Sequence, residues 1–151
     1  MAISQAMVTS FKVEILDGVH NFGSGVIRAS TAADVFKLAL YTSSATLSAA
    51  TTAYTVTDEV SSSGTNYPAG GLTLTISQVP TSTGTTAFLD FDDLTFASAT
   101  ITANGALIYN ATQGNKAVAV LAFGGDKTST AGNFTIQFPA AASTTAILRI
   151  A

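Results

Sequence analysis

From Asp34 onward, apolar residues fall at every second position in one short segment after another, with turn residues between them. That period belongs to strands with one buried face. Phe36, Leu38 and Leu40 share a face of a segment from Val35 to Thr42; Tyr54, Val56 and Val60 share one in the next; Leu72, Leu74 and Ile76 follow. Between the last two lies Ser61 to Gly71, too long for a tight hairpin and read as a surface loop bearing Tyr67. Ala87, Leu89 and Phe91 hold one parity and Leu94 and Phe96 the other, so a bulge or bend is expected at Asp92-Asp93. Ile101, Ala103, Gly105, Leu107 and Tyr109 keep their parity through Asn104-Gly105, which favours one long strand over a hairpin turning there. A turn from Asn110 to Asn115 leads into Lys116 to Phe123, and Gly124-Gly125-Asp126 is expected to break that strand. Phe134, Ile136 and Phe138 form another inward face ended by Pro139, and Leu148 and Ile150 a last strand. Ser82 to Thr86 reads as a turn.

The first residues follow a different pattern. Ile3, Met7, Phe11 and Ile15 recur every four positions, with Ser4 able to cap the start and Gly18 the end, so a helix is expected from Ser4 to Asp17. Phe11, Val13 and Ile15 also alternate, which keeps a strand in view. Gly18 to Ala33 reads as an extended connector. The predicted architecture is mainly β: an antiparallel two-sheet β-sandwich, jelly-roll-like or immunoglobulin-like, over 34–151, preceded by a short N-terminal helix and arm over 1–33.

Composition sharpens this. Of 151 residues, 26 are Ala, 24 Thr and 15 Ser, whereas only six are Lys or Arg and nine Asp or Glu. A surface coated by small uncharged groups sacrifices little hydration or side-chain entropy when covered, which suits a chain buried against other subunits. The acidic balance lacks the cation cluster that nucleic-acid phosphates require. The longest apolar run, Ala117 to Phe123, is far shorter than the ~20 residues of a membrane-spanning helix. No secretory pattern is read at Met1 to Met7, so synthesis in the cytoplasm is expected. Without cysteine there are no disulfides or thiolate sites.

Candidate chemistry is sparse. His20 is the only imidazole, no Gly-x-Ser-x-Gly elbow is present, and no catalytic, cofactor or metal site is expected. Asp90, Asp92 and Asp93 are the densest charge, but strand parity separates Asp93 from the others and no calcium-loop pattern surrounds them. A solvated edge is the better reading, with Lys116, Lys127 and Arg149 as cations that a neighbouring subunit would bring opposite it. Gly23-Ser24-Gly25 lacks the remainder of a phosphate loop. Asn110-Ala111-Thr112 and Asn133-Phe134-Thr135 are acceptor sequons that mean little without a secretory route. Tyr41, Tyr54, Tyr67 and Tyr109 are candidates for stacking on sugars, against the commoner use of strand aromatics in packing.

The strings Phe36-Lys37-Leu38-Ala39-Leu40-Tyr41-Thr42, Tyr67-Pro68-Ala69-Gly70-Gly71, Ala106-Leu107-Ile108-Tyr109-Asn110 and Ala119-Val120-Leu121-Ala122-Phe123-Gly124-Gly125-Asp126-Lys127, with Ser10-Phe11-Lys12 and Gly18-Val19-His20-Asn21-Phe22, resemble small virion structural proteins of tailed bacteriophages. The resemblance implies a multicopy β-sandwich subunit located in the virion. Its leading form is a capsid decoration, or cement, protein that self-associates around local threefold points and bridges major capsid proteins, with residues 1–33 reaching across a neighbour. A tail, neck or baseplate component is the rival within the virion. A receptor- or glycan-binding module, using Tyr67 and the Ser61 to Gly71 loop, is the rival of another class.

Overall fold

In the computed structural model the described residues are 2–8, 10, 11, 15, 19, 20, 22, 23 and 33–151. Eight strands are assigned: β1 (Ala6–Met7), β2 (Phe36–Tyr41), β3 (Leu72–Thr73), β4 (Ile76–Thr83), β5 (Thr86–Phe91), β6 (Leu94–Asn110), β7 (Lys116–Ile136) and β8 (Leu148–Ile150). They form two antiparallel sheets, one ordered β1-β7-β6-β2-β3 and the other β4-β5-β8. The chain is mainly β, as its period-two pattern requires.

The parity change at Asp92-Asp93 marks the passage from one sheet to the other. β5 ends at Phe91 in the three-stranded sheet and β6 begins at Leu94 in the five-stranded one. The Asp92 N–H donates to Thr75 O at 2.9 Å, and Asp93 Oδ1 accepts the N–H of Phe138 at 2.8 Å, which fixes the crossing. Each half can then turn its apolar parity inward: Leu89, Phe91 and Phe96 all belong to one buried cluster with Leu38, Leu40, Ile101 and Leu107. A file of rings links the layers, with Phe36 stacked on Phe22 at 4.2 Å and Phe91 standing 6.2 Å from Phe36 and 5.9 Å from Phe138.

The long strand through Asn104-Gly105 forms as expected. The break at Gly124-Gly125-Asp126 does not: β7 continues to Ile136. From the Gly105↔Ala122 pair to the Ala103↔Lys127 pair β6 advances two residues and β7 five, so the surplus bulges out and the ladder resumes. Gly124 and Gly125, at φ 71° and 143°, supply the backbone conformations that this requires. Phe134 and Ile136 therefore lie on the same strand as Val120. The expected turn at Ser82 to Thr86 shrinks to Gly84-Thr85, closed by the Thr83↔Thr86 pair. Pro80, which cannot donate to a ladder, is accommodated on the edge strand β4 at a register shift between Gln78 and Thr81.

Two further expectations are corrected. The segment of Tyr54, Val56 and Val60 is not a strand: it makes only isolated bridges, Ala53↔Lys116 and Tyr41↔Glu59, and Val56 is 71% exposed. Tyr54 and Val60 are held instead by backbone hydrogen bonds to Asn115 O and Leu40 O. The helix expected from Ser4 is overturned in its first turn, because Ala6 and Met7 pair with Val120 and Ala119 along the edge of β7. Residues 9, 12–14 and 16–18 of that expectation lie outside the described residues, as do 24–32 of the connector. Val8, Phe11 and Phe22 are buried in the common core, so these parts of the first 33 residues anchor on their own chain.

Candidate functional site

Thirty residues separate the end of β2 from the start of β3 (residues 42–71), and none of them lies in a named strand. Loops of this length in a compact domain are commonly functional. This one is anchored at several points. Leu47 exchanges backbone hydrogen bonds with Ser4 and Ala2, Tyr54 N–H donates to Asn115 O, Thr52 O accepts from Ala117, and Thr65 O accepts from Thr100. Ala45, Leu47, Val60 and Tyr67 sink into the core.

At its centre is Glu59, one of only two charged residues in the excursion, the other being Asp58. Glu59 Oε2 accepts the Tyr54 hydroxyl at 2.7 Å; Oε1 accepts both the Tyr67 hydroxyl and the Gly70 N–H, each at 2.7 Å. The Tyr67 hydroxyl in turn accepts the N–H of Leu40 at 2.9 Å, and the Tyr109 hydroxyl donates to Gly70 O at 2.7 Å. The Tyr41 hydroxyl donates to Thr55 O at 2.7 Å, and the Tyr54 and Tyr109 rings stack at 4.7 Å. All four tyrosines of the chain thus serve one polar centre. Burial is the main force raising the hydroxyl pKa of each, with Glu59 adding to it, so these groups stay protonated donors in ordinary buffers. Charge-assisted bonds of this kind hold geometry more firmly than neutral ones.

Gly71 locks the return to β3. A Cβ there would lie 1.7 Å from Leu38 O, and its φ is +73°, so only glycine fits against β2. The outcome is a loop held from below whose rim is exposed and polar: residues 55–58 and 61–64 face solvent, with Val56 standing out among them.

The sugar-stacking candidates are corrected by this arrangement. Tyr41, Tyr67 and Tyr109 are buried, and Tyr67 is a pillar of the loop rather than a group displayed on it. Alternation and aromaticity in the sequence indicated packing, but nothing in it could indicate that Glu59 collects their hydroxyls. The acidic triplet is divided. Asp90 is buried on β5, Asp93 caps Phe138, and Asp92 is exposed. No group of three or more His, Asp or Glu able to hold a metal is formed among the described residues. Of the cations expected to oppose it, Lys116 lies across the ladder from Asn110, Lys127 is across from Ala103, and Arg149 donates to Thr144 O. Asn110 of the first sequon is fully buried, and Asn133 Oδ1 of the second accepts the Ser98 N–H at 3.3 Å. Gly23 rests near Pro80; Ser24 and Gly25 lie outside the described residues.

His20 is brought against Asn110 across 90 positions, and the same amide holds Asp34, a grouping that no spacing in the chain points to. An open cleft of about 480 Å³ lies elsewhere, bordered by Met7, Thr86, Ser143, Ile147 and Arg149 among others. No helix among the described residues is long and apolar enough to cross a membrane. Comparison with protein families, curated proteins and solved structures finds no match for this chain.

Proposed function

We propose that the protein is a non-catalytic structural subunit of a bacteriophage virion, a capsid decoration protein that binds over junctions between major capsid proteins. The resemblance of its sequence strings to small virion proteins supplies the virion, and the loop of residues 42–71 supports a contact role. That loop commits four tyrosines and a glutamate to holding one conformation, and what it presents is Ser, Thr, Gly and Val with Asp58 as the exposed charge. A pre-ordered, weakly hydrated surface loses little on being covered, which is the economy needed for contacts repeated over a shell. In this reading the two sheets form a sandwich, copies gather around local threefold points, and many modest interfaces act together to resist internal pressure.

The test is the copy number per particle, from quantitative mass spectrometry of purified virions against the major capsid protein. A number comparable to the capsid protein is expected. A few to a few dozen copies would move the subunit to the tail, neck or baseplate, and absence from particles would overturn the virion reading. Val56→Asp, placed on the exposed rim, is expected to lower occupancy on the particle while leaving the melting temperature of the free protein within about 2 °C, as surface substitutions do.

A further inference from the structure

We propose that His20 is an acid-sensitive latch: its hydrogen bond to Asn110, one of several contacts that hold the N-terminal segment on the body of the protein, forms only while its imidazole is neutral. The joint is built around Asn110, which is fully buried at the end of β6. Asn110 Oδ1 accepts the backbone N–H groups of Thr112 at 3.0 Å and Gln113 at 3.1 Å. This fixes the amide, since turning it over would set an NH₂ against two donors. The Nδ2 group must therefore face the other way, where it donates to Asp34 Oδ2 at 2.8 Å and meets His20 Nδ1 at 3.0 Å. A nitrogen that faces a committed donor has to accept. His20 Nδ1 is thus unprotonated in this arrangement, and the ring is the neutral tautomer with its proton on Nε2.

What the latch holds is equally defined. The His20 ring meets Phe11 edge-on at 4.8 Å, Phe11 meets Phe22 at 6.0 Å, and Phe22 stacks on Phe36 of β2. The imidazole is the polar end of an aromatic file that, beside the β1–β7 ladder, fastens the N-terminal segment. Adding a proton at Nδ1 would set N–H against N–H and break the bond to Asn110. Among the described residues, the charged groups placed at the site are Asp34, held through the same amide, and Lys116, across the ladder from Asn110. Glu14 and Asp17 of the same segment lie outside the described residues. Asp34 attracts an imidazolium, but the two hydrogens of one amide nitrogen diverge so that their acceptors stand roughly 5 Å apart. A direct pair would have to unseat Asn110 from its place, so the latch opens in either event.

Hydrogen exchange of the intact protein, read by mass spectrometry over residues 2–23 after correction for intrinsic rates, tests this at pH 8 and pH 5. The expected result is protection at least about tenfold lower at pH 5 for wild type, with β6 unchanged. His20→Gln, whose side-chain oxygen can accept from Asn110 at every pH, is expected to keep its protection. Two-bond proton–nitrogen spectra of the single histidine are expected to show the Nε2–H tautomer at pH 8. Equal pH response in wild type and H20Q, tighter protection of the segment in acid, or an Nδ1–H tautomer at pH 8 would each overturn the proposal. Should H20Q fail to fold, the tautomer spectrum of the wild-type protein decides alone.

Discussion

Glu59, half-buried in the long loop, and Asp90, buried on β5, are both carboxylates, and they are treated in opposite ways. Glu59 takes three hydrogen bonds from Tyr54, Tyr67 and Gly70, and a thirty-residue loop is organised around it. Asp90 is 1% exposed; its Oδ1 accepts the N–H of Phe91 at 2.9 Å, while Oδ2 has no partner among the described residues. Burial drives the Asp90 pKa upward and the nearby Asp93 carboxylate adds to the effect, against the backbone N–H groups of Phe91 and Ile147. A charge whose oxygens are fully bonded specifies a structure, whereas a buried one left partly unbonded costs stability whenever it ionises.

The largest blow to the Glu59 side should come from Gly71→Ala, which forces a methyl group into the Leu38 carbonyl at a positive φ. A loss of more than about 3 kcal/mol is expected in urea unfolding, since strain and overlap combine. Glu59→Ala comes next. It strands two tyrosine hydroxyls and a backbone N–H, for a loss of roughly 2 to 4 kcal/mol. Hydrogen exchange should rise over residues 42–71 and not over β6 and β7; uniform loosening would show that the hub supports the whole sheet rather than the loop.

Asp90→Asn should act with the opposite sign. Because the folded-state pKa of Asp90 is raised, the folded protein binds a proton more tightly than the unfolded chain, so stability is fullest in acid and declines as pH rises through the raised value. The asparagine variant should melt higher than wild type at pH 7.5 and lose that advantage near pH 4. A variant less stable at both pH values would mean that the charged form is the one the fold needs. The smallest effect belongs to Tyr54→Phe. Its ring keeps the stack on Tyr109 and only one bond to Glu59 is lost, for about 0.5 to 1.5 kcal/mol.

Much of the framework was legible in the chain. The parity of Phe36, Leu38 and Leu40 marked β2; the switch at Asp92-Asp93 marked a bend, which the structure turns into a change of sheet; and constant parity through Asn104-Gly105 marked one long strand there. These features are local, since a residue's face in a strand depends only on its count from its neighbours. The glycines at 124 and 125 misled because a bulge and a turn call for the same backbone freedom, and only the resumed pairing with β6 tells them apart. The period of four near the N-terminus misled at its first turn, because the edge of β7 offered Ala6 and Met7 a ladder that the segment itself could not reveal, whereas Ser10, Phe11 and Ile15 are helical.

The candidate site was less legible than the fold. Tyr67 was visible as a large residue in a long loop, but its hydroxyl is met by Glu59 of the same loop and by the N–H of Leu40 on β2, a pairing the loop's own sequence does not reveal. The same is true of His20, which meets Asn110 and Asp34 only when the N-terminal segment lies against the end of β6. By itself, then, the sequence determined that the chain is mainly β, which faces of β2 and β6 turn inward and how little charge the protein carries, because those properties follow from composition and period. The tertiary structure alone decided which polar groups meet. A hydrogen bond requires its partners within about 3 Å, and nothing in the spacing of Glu59 from Tyr67, or of His20 from Asn110, sets that distance until the sheets have closed around them.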